Sequence, residues 1–87
     1  MDEYSLRIKP SASKELQAIS GKTTLSRLIE RIRALAAEPR PQGAEKLAGR
    51  LNIYRVRHGD YRIVYSVDDQ SRVVDVIKVG HRRDVYR

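Results

Sequence analysis

Asn52-Ile53-Tyr54-Arg55-Val56-Arg57-His58-Gly59-Asp60-Tyr61-Arg62-Ile63-Val64-Tyr65-Ser66-Val67 is the stretch that decides the fold. It contains two runs of period two around a turn signal. In the first run Tyr54 and Val56 oppose Ile53, Arg55 and Arg57. In the second, Tyr61, Ile63, Tyr65 and Val67 oppose Arg62, Val64 and Ser66. Successive side chains of a strand point to opposite faces, so each run reads as a strand with one apolar face. His58-Gly59-Asp60 is short enough to make the two strands an antiparallel hairpin.

Toward the C-terminus, Asp68-Asp69-Gln70-Ser71 turns the chain again. Arg72–Val79 is then almost continuous Val and Ile, the pattern of a strand buried on both faces. Three strands with short turns form a meander. Toward the N-terminus, Arg40-Pro41-Gln42-Gly43 is a loop that leads through Leu47 and Gly49 into the first of these strands. Leu25, Leu28, Ile29, Ile32, Leu35 and Ala36 before it form one stripe of a helix, with Arg27, Glu30, Arg31 and Arg33 at or near its rim. Thr23 or Thr24 caps that helix and Pro39 stops it. Ser20-Gly21-Lys22 separates it from a shorter helix that Ser11 or Ser13 caps and that runs to about Ile19 on Leu16 and Ile19. Residues 3–9 alternate, with Tyr4, Leu6 and Ile8 on one face, and Pro10 ends them as a strand. The expected order is β-α-α-β-β-β. This is an α+β fold: a helical hairpin packed on a small, mostly antiparallel four-stranded sheet, the first strand beside the last.

The whole chain of 87 residues is expected to form a single domain, 1–87. There is no Cys, which excludes disulfides, thiolate metal sites and Cys nucleophiles, and two His make no closed zinc site without carboxylates. No apolar run approaches the ~20 residues of a membrane span, and Met1-Asp2-Glu3 does not open a signal peptide. A soluble, cytoplasmic protein without a membrane partner is expected. The net charge is +7, and most of it falls in the second half. Residues 46–87 hold 10 basic and 5 acidic side chains, against 8 and 6 in residues 1–45. A polyanion is the natural partner of such a surface.

The alternation puts Arg55, Arg57 and Arg62 together on the face that the helices leave open, with no carboxylate among these three positions. Like charges so close destabilise a sheet unless an anion binds there. On an open face these arginines should be exposed, so that truncating Arg62 leaves the fold intact. The chain then continues as Gly80-His81-Arg82-Arg83-Asp84-Val85-Tyr86-Arg87. Gly80 permits a sharp exit toward the open face. Arginine clamps phosphate with a two-pronged fork, and tyrosine offers a plane on which a base stacks.

Lys46-Leu47-Ala48-Gly49, Tyr54-Arg55-Val56-Arg57, Gly59-Asp60-Tyr61-Arg62-Ile63-Val64-Tyr65 and Val79-Gly80-His81-Arg82-Arg83-Asp84-Val85-Tyr86 together resemble the RelE family of toxins from toxin–antitoxin modules. The motif match covers residues 46–87; the first half agrees in pattern and length. The resemblance implies a ribosome-dependent endoribonuclease that needs neither metal nor cofactor. It would cut mRNA in the A site by attack of a 2′-OH on the adjacent phosphate, and so inhibit translation. It also implies a cognate antitoxin protein and a toxin–antitoxin hetero-oligomer. Carried over by position, Lys46, Arg55 and Arg57 contact RNA, and Arg62 both contacts it and steadies the developing phosphorane charge. Arg82 or Arg83 assists the leaving group. Tyr86 stacks on the base and helps to deprotonate the 2′-OH. Related toxins use a Glu and His pair instead, for which Glu45 and His81 lie in the matching regions. Two rival readings stand beside it: a ParE-like inhibitor of DNA gyrase, which shares the fold but typically lacks the combined Arg62, Arg82/Arg83 and Tyr86 set, and a non-catalytic RNA-binding module.

Overall fold

The two alternating runs pair as the sequence predicts. In a computed structural model, which describes residues 3–47, 49 and 52–81, the elements are β1 (Ser5–Ile8), α1 (Pro10–Gln17), α2 (Lys22–Ala37), β2 (Glu45–Lys46), β3 (Ile53–His58), β4 (Tyr61–Asp68) and β5 (Val73–His81). β3 and β4 are antiparallel from Ile53↔Ser66 to His58↔Tyr61. Only Gly59 and Asp60 lie between them, and Gly59 takes the positive φ, +59°, that so tight a hairpin demands of its first loop residue.

Among the described residues the sheet has five strands in the order β1-β5-β4-β3-β2. The class and the place of β1 beside β5 agree with the sequence; the fifth strand is new. β2 is only two residues long, below the length at which alternation is readable, and it appears because Glu45 and Lys46 pair with Arg55 and Tyr54. The β1–β5 pairing is parallel and the rest of the sheet is antiparallel.

Helix starts differ from the capping expectation. Pro10 does not end β1 from outside but opens α1 as its first helical residue, where its missing N–H costs nothing. Gly21 precedes α2, and neither helix start shows a side-chain capping bond. α2 ends before Pro39, at Glu38 (φ −140°, ψ 88°), which has left the helical region that a following proline disfavours.

One face of the sheet carries the core. Ala12 and Leu16 of α1 and Leu28, Ile32 and Leu35 of α2 are buried against Val56, Ile63, Tyr65, Val67, Val74, Val76 and Val79. β5 is not buried on both faces, as its Val/Ile run suggests. Val64 pairs with Lys78 whereas Tyr65 pairs with Val76, so Ile77 is an extra residue. That bulge lets Val76 and Val79, three positions apart, both reach the core, while Val73, Asp75, Ile77 and Lys78 are half-buried. Ile8 also departs from expectation: it is 41% exposed, because β1 ends there and the chain turns into α1.

Two polar devices finish the edges. β1 pairs with β5 only as far as Ile8↔Val76, and beyond that point Glu15 of α1 accepts the Val79 N–H at 2.8 Å and the Lys78 ammonium at 3.1 Å. The strand edge is thereby satisfied by a side chain. At the end of the sheet away from Gly59, Arg40 donates two bonds to Asp69 (2.9 and 3.1 Å) and a third to the Tyr54 hydroxyl (2.8 Å), while Tyr4 donates to Asp69 at 2.6 Å. These bonds to Arg40 and Tyr4 hold the Asp69 carboxyl below its ordinary range, and the same contact raises Tyr4. Tyr65, stacked on Tyr54 with ring centroids 6.0 Å apart, donates to the Pro39 carbonyl at 2.7 Å; burial pushes its phenol up to about 12.

Candidate nucleic-acid interface

The faces follow from register. Val56, Ile63, Tyr65 and Val79 point to the helices, so the residues between them point away. Arg57 lies directly opposite Arg62, Arg55 opposite Val64, and Gly80 opposite Arg62 on its other side. Three guanidinium groups thus share the face that carries none of the helical core. Gly80 leaves the cross-strand position beside Arg62 without a side chain.

Burial alters one expectation. Arg62 is only 9% exposed, so its stem is part of the packing of the sheet. β4 is central, between β3 and β5, and Arg62 lies deeper than Val64 and Ser66 on the same face of that strand, with its Nη1 itself enclosed. Arg57 is exposed, and the Arg55 side chain is 15% exposed.

The face also holds a carboxylate that the sequence placed in a loop. β2 brings Glu45 opposite Arg55, where its Oε1 accepts from Arg55 Nη2 at 2.8 Å. The Arg55 hydrogen bond, followed by the positive charge of Arg55, Arg62 and Arg57, holds the Glu45 carboxyl below its usual range. An ionised Glu45 at neutral pH is a weak proton acceptor but a strong partner for arginine. Only the pairing of β2 reveals it, and a two-residue strand leaves no periodic signal.

The other sequence-derived positions separate. Lys46 sits opposite Tyr54, which places it on the helix side of the sheet edge, away from the three arginines. His81 pairs with Tyr61 and meets its ring edge-on at 5.8 Å, also on the helix side. It lines a cleft of about 310 Å³ with Glu15, Ile19 and Tyr61. The bulge in β5 is what sets this: Val79 and His81 face the helices, and Gly80 faces the arginines. Arg82, Arg83 and Tyr86 lie outside the described residues.

Such a face is suited to a phosphodiester backbone. Guanidinium groups supply fixed donors and a charge that does not titrate, which is the equipment for holding a phosphate and for stabilising extra charge on it. Among the described residues no helix is long and apolar enough to cross a membrane.

Comparison with known proteins bears on the family and the fold. The family model for the ParE toxin of the type II toxin–antitoxin system parDE matches residues 6–86. Toxin RelG of Mycobacterium tuberculosis is 26% identical over 84 residues, covering 97% of each chain. Among solved structures, the toxin in the archaeal RelE–RelB complex from Pyrococcus horikoshii superposes with a TM-score of 0.79 at 31% identity, over 98% of this chain and 100% of that one. The intact E. coli RelBE toxin–antitoxin complex gives a TM-score of 0.78 at 32% identity, over 90% and 95%.

Proposed function

This chain belongs to the ParE toxin family of type II toxin–antitoxin systems and is a RelE-like toxin of the RelE/ParE superfamily, and on that premise we propose that it is an endoribonuclease that cleaves mRNA on the ribosome. The observation that carries the reading is the face on which Arg57 stands opposite Arg62, with Arg55 beside them and Gly80 across from Arg62. Inhibition of a topoisomerase by surface contact alone requires no such convergence of guanidinium groups.

In the proposed reaction the 2′-oxygen of one nucleotide attacks the adjacent phosphorus, its proton leaves, and the 5′-oxygen departs with a proton. The products are a 2′,3′-cyclic phosphate and a 5′-hydroxyl. Arg55 and Arg57 hold flanking phosphates by charge-assisted bonds. Arg62, fixed by its packed stem, meets the charge that develops on the non-bridging oxygens, where preorganised donors are worth most. Arg82 or Arg83 serves the leaving oxygen and Tyr86 the attacking one. Tyr86 stacks on the base as well. His81 faces away from this surface, which favours Tyr86 as the proton carrier. Arginine and tyrosine are poorly matched to proton transfer at neutral pH, so much of the acceleration must come from positioning. Holding a near-attack geometry is worth roughly 7–11 kcal/mol, and the ribosomal A site is the scaffold that would supply it. The protein then acts in the cytoplasm, and a cognate antitoxin, in a hetero-oligomer like those of the RelBE complexes, keeps it silent.

The test is to incubate the purified protein with ribosomes translating a defined mRNA, map cuts by primer extension, and assay gyrase in parallel. Cuts within A-site codons are expected. Trapped gyrase–DNA complexes without RNA cuts, or bound but uncut RNA, would replace this function with one of its rivals.

A further inference from the structure

We propose that Glu45 is an intramolecular stand-in for phosphate, occupying Arg55 in the free protein and giving way when a polyanion docks on the arginine face. This rests on the reading that the face binds RNA and specifies how access to it is controlled.

The asymmetry of the pair says which partner moves. Arg55 is 15% exposed and Glu45 67% exposed, so the guanidinium is embedded in the sheet while the carboxylate stands in solvent. Glu45 comes from a two-residue edge strand and accepts from Arg55 Nη2 at 2.8 Å. It can rotate into water without opening the core. Its charge also sits in the field of Arg57 and Arg62, the place an incoming phosphate would seek. Carboxylate and phosphate oxygens use the same donors of a guanidinium, so the two compete for one position.

Competition of this kind discriminates between modes of presentation. RNA free in solution must displace Glu45 at its bulk concentration. A phosphate already held beside the face by a scaffold acts at a far higher effective concentration and displaces it readily. The carboxylate thus lowers affinity for bulk RNA and leaves presented RNA accessible.

The experiment measures binding of a short single-stranded RNA with 2′-O-methyl sugars, which lacks the attacking hydroxyl, and of heparin as a second polyanion. The proteins are the wild type, Glu45→Gln, Arg55→Gln, the double variant, and Glu38→Gln. Glu38→Gln removes the same charge just beyond α2, on the other side of the molecule from the arginines. Glu45→Gln should tighten both ligands about two- to fivefold beyond the Glu38→Gln control, the range for a surface ion pair. Arg55→Gln should cost more affinity when residue 45 is Gln than when it is Glu. The salt slope of RNA binding should be equal in wild type and Glu45→Gln, because Arg55 reaches phosphate in both complexes. A slope steeper by about 0.7 in Glu45→Gln would mean that Glu45 keeps Arg55 in the wild-type complex, and displacement would be wrong. Equal affinities for Glu45→Gln and Glu38→Gln, or no binding of either polyanion, would also overturn it. Absence of ribosomal cleavage with the coupling intact would instead remove only the nuclease assignment.

Discussion

Replacing Arg62 with Gln probes the proposed chemistry and the packing of the sheet at once. Gln keeps the first two methylenes and a hydrogen-bonding end, and removes the charge and the fork. Arg62 is 9% exposed and central in the sheet, so the exposed-arginine expectation of a negligible stability change does not hold. Losing the packed side chain with its enclosed guanidinium should cost about 1–2 kcal/mol, partly offset by relief of repulsion from the facing Arg57. For a domain of this size that lowers Tm by roughly 4–16 °C. The rate should fall further than stability: one transition-state donor lost costs about 10²–10³, equivalent to roughly 2.7–4 kcal/mol. Single-turnover cleavage on programmed ribosomes, at a temperature well below the variant's measured melting point, separates the two effects. Arg62→Lys restores the charge without the two-pronged geometry and should recover only part of the rate. A folded Arg62→Gln protein that cuts within threefold of wild type would refute the assignment of Arg62 to the transition state.

His81→Ala should leave ribosomal cleavage nearly unchanged, because His81 faces the helices, whereas Tyr86→Phe should lower the single-turnover rate by about 10²–10⁴ with ribosome binding preserved. The reverse pattern would move the proton chemistry to the imidazole. Tyr65→Phe removes the bond to the Pro39 carbonyl and should cost about 1 kcal/mol in urea unfolding at pH 7. It should also flatten the alkaline limb of stability. A phenol whose folded pKa is raised to about 12 contributes stability that is complete below pH ~10 and is lost as pH climbs toward 12. Asp69→Asn should remove part of the acid sensitivity: the depressed folded pKa of Asp69 gives stability present above pH ~4 and lost as pH falls, so the variant's melting temperature should change less between pH 5 and pH 2.

What was legible in the sequence was what period and punctuation encode. The hairpin around Gly59, the apolar stripe of α2 and the common face of Arg55, Arg57 and Arg62 follow from alternation and spacing alone. Three kinds of feature were not legible. β2 is too short to alternate, so Glu45 read as loop and the arginine face seemed to lack a carboxylate. The β5 bulge hides in a run of Val and Ile that any register would bury, yet it decides that Gly80 faces the arginines and His81 faces away. Long-range polar closure left no trace either: Arg40, next to a proline in a loop, gives no hint that it clamps Asp69, and Glu15 gives none that it completes the edge of β5.

The parallel pairing of Ser5–Ile8 with Val73–Val76 has a consequence for how the protein is made. The strand synthesised early has no partner until residues 73–76 exist, and the core valines Val74, Val76 and Val79 arrive equally late. Contacts of such long sequence separation must be closed before they stabilise anything, which slows folding and keeps it cooperative. While β5 is still unmade, the chain can form the β3–β4 hairpin but not the finished sheet that holds Arg62 between its neighbours. This order of synthesis makes the arginine face one of the last parts of the molecule to be completed. It also leaves an interval in which a partner can meet the chain before the arginine face is assembled.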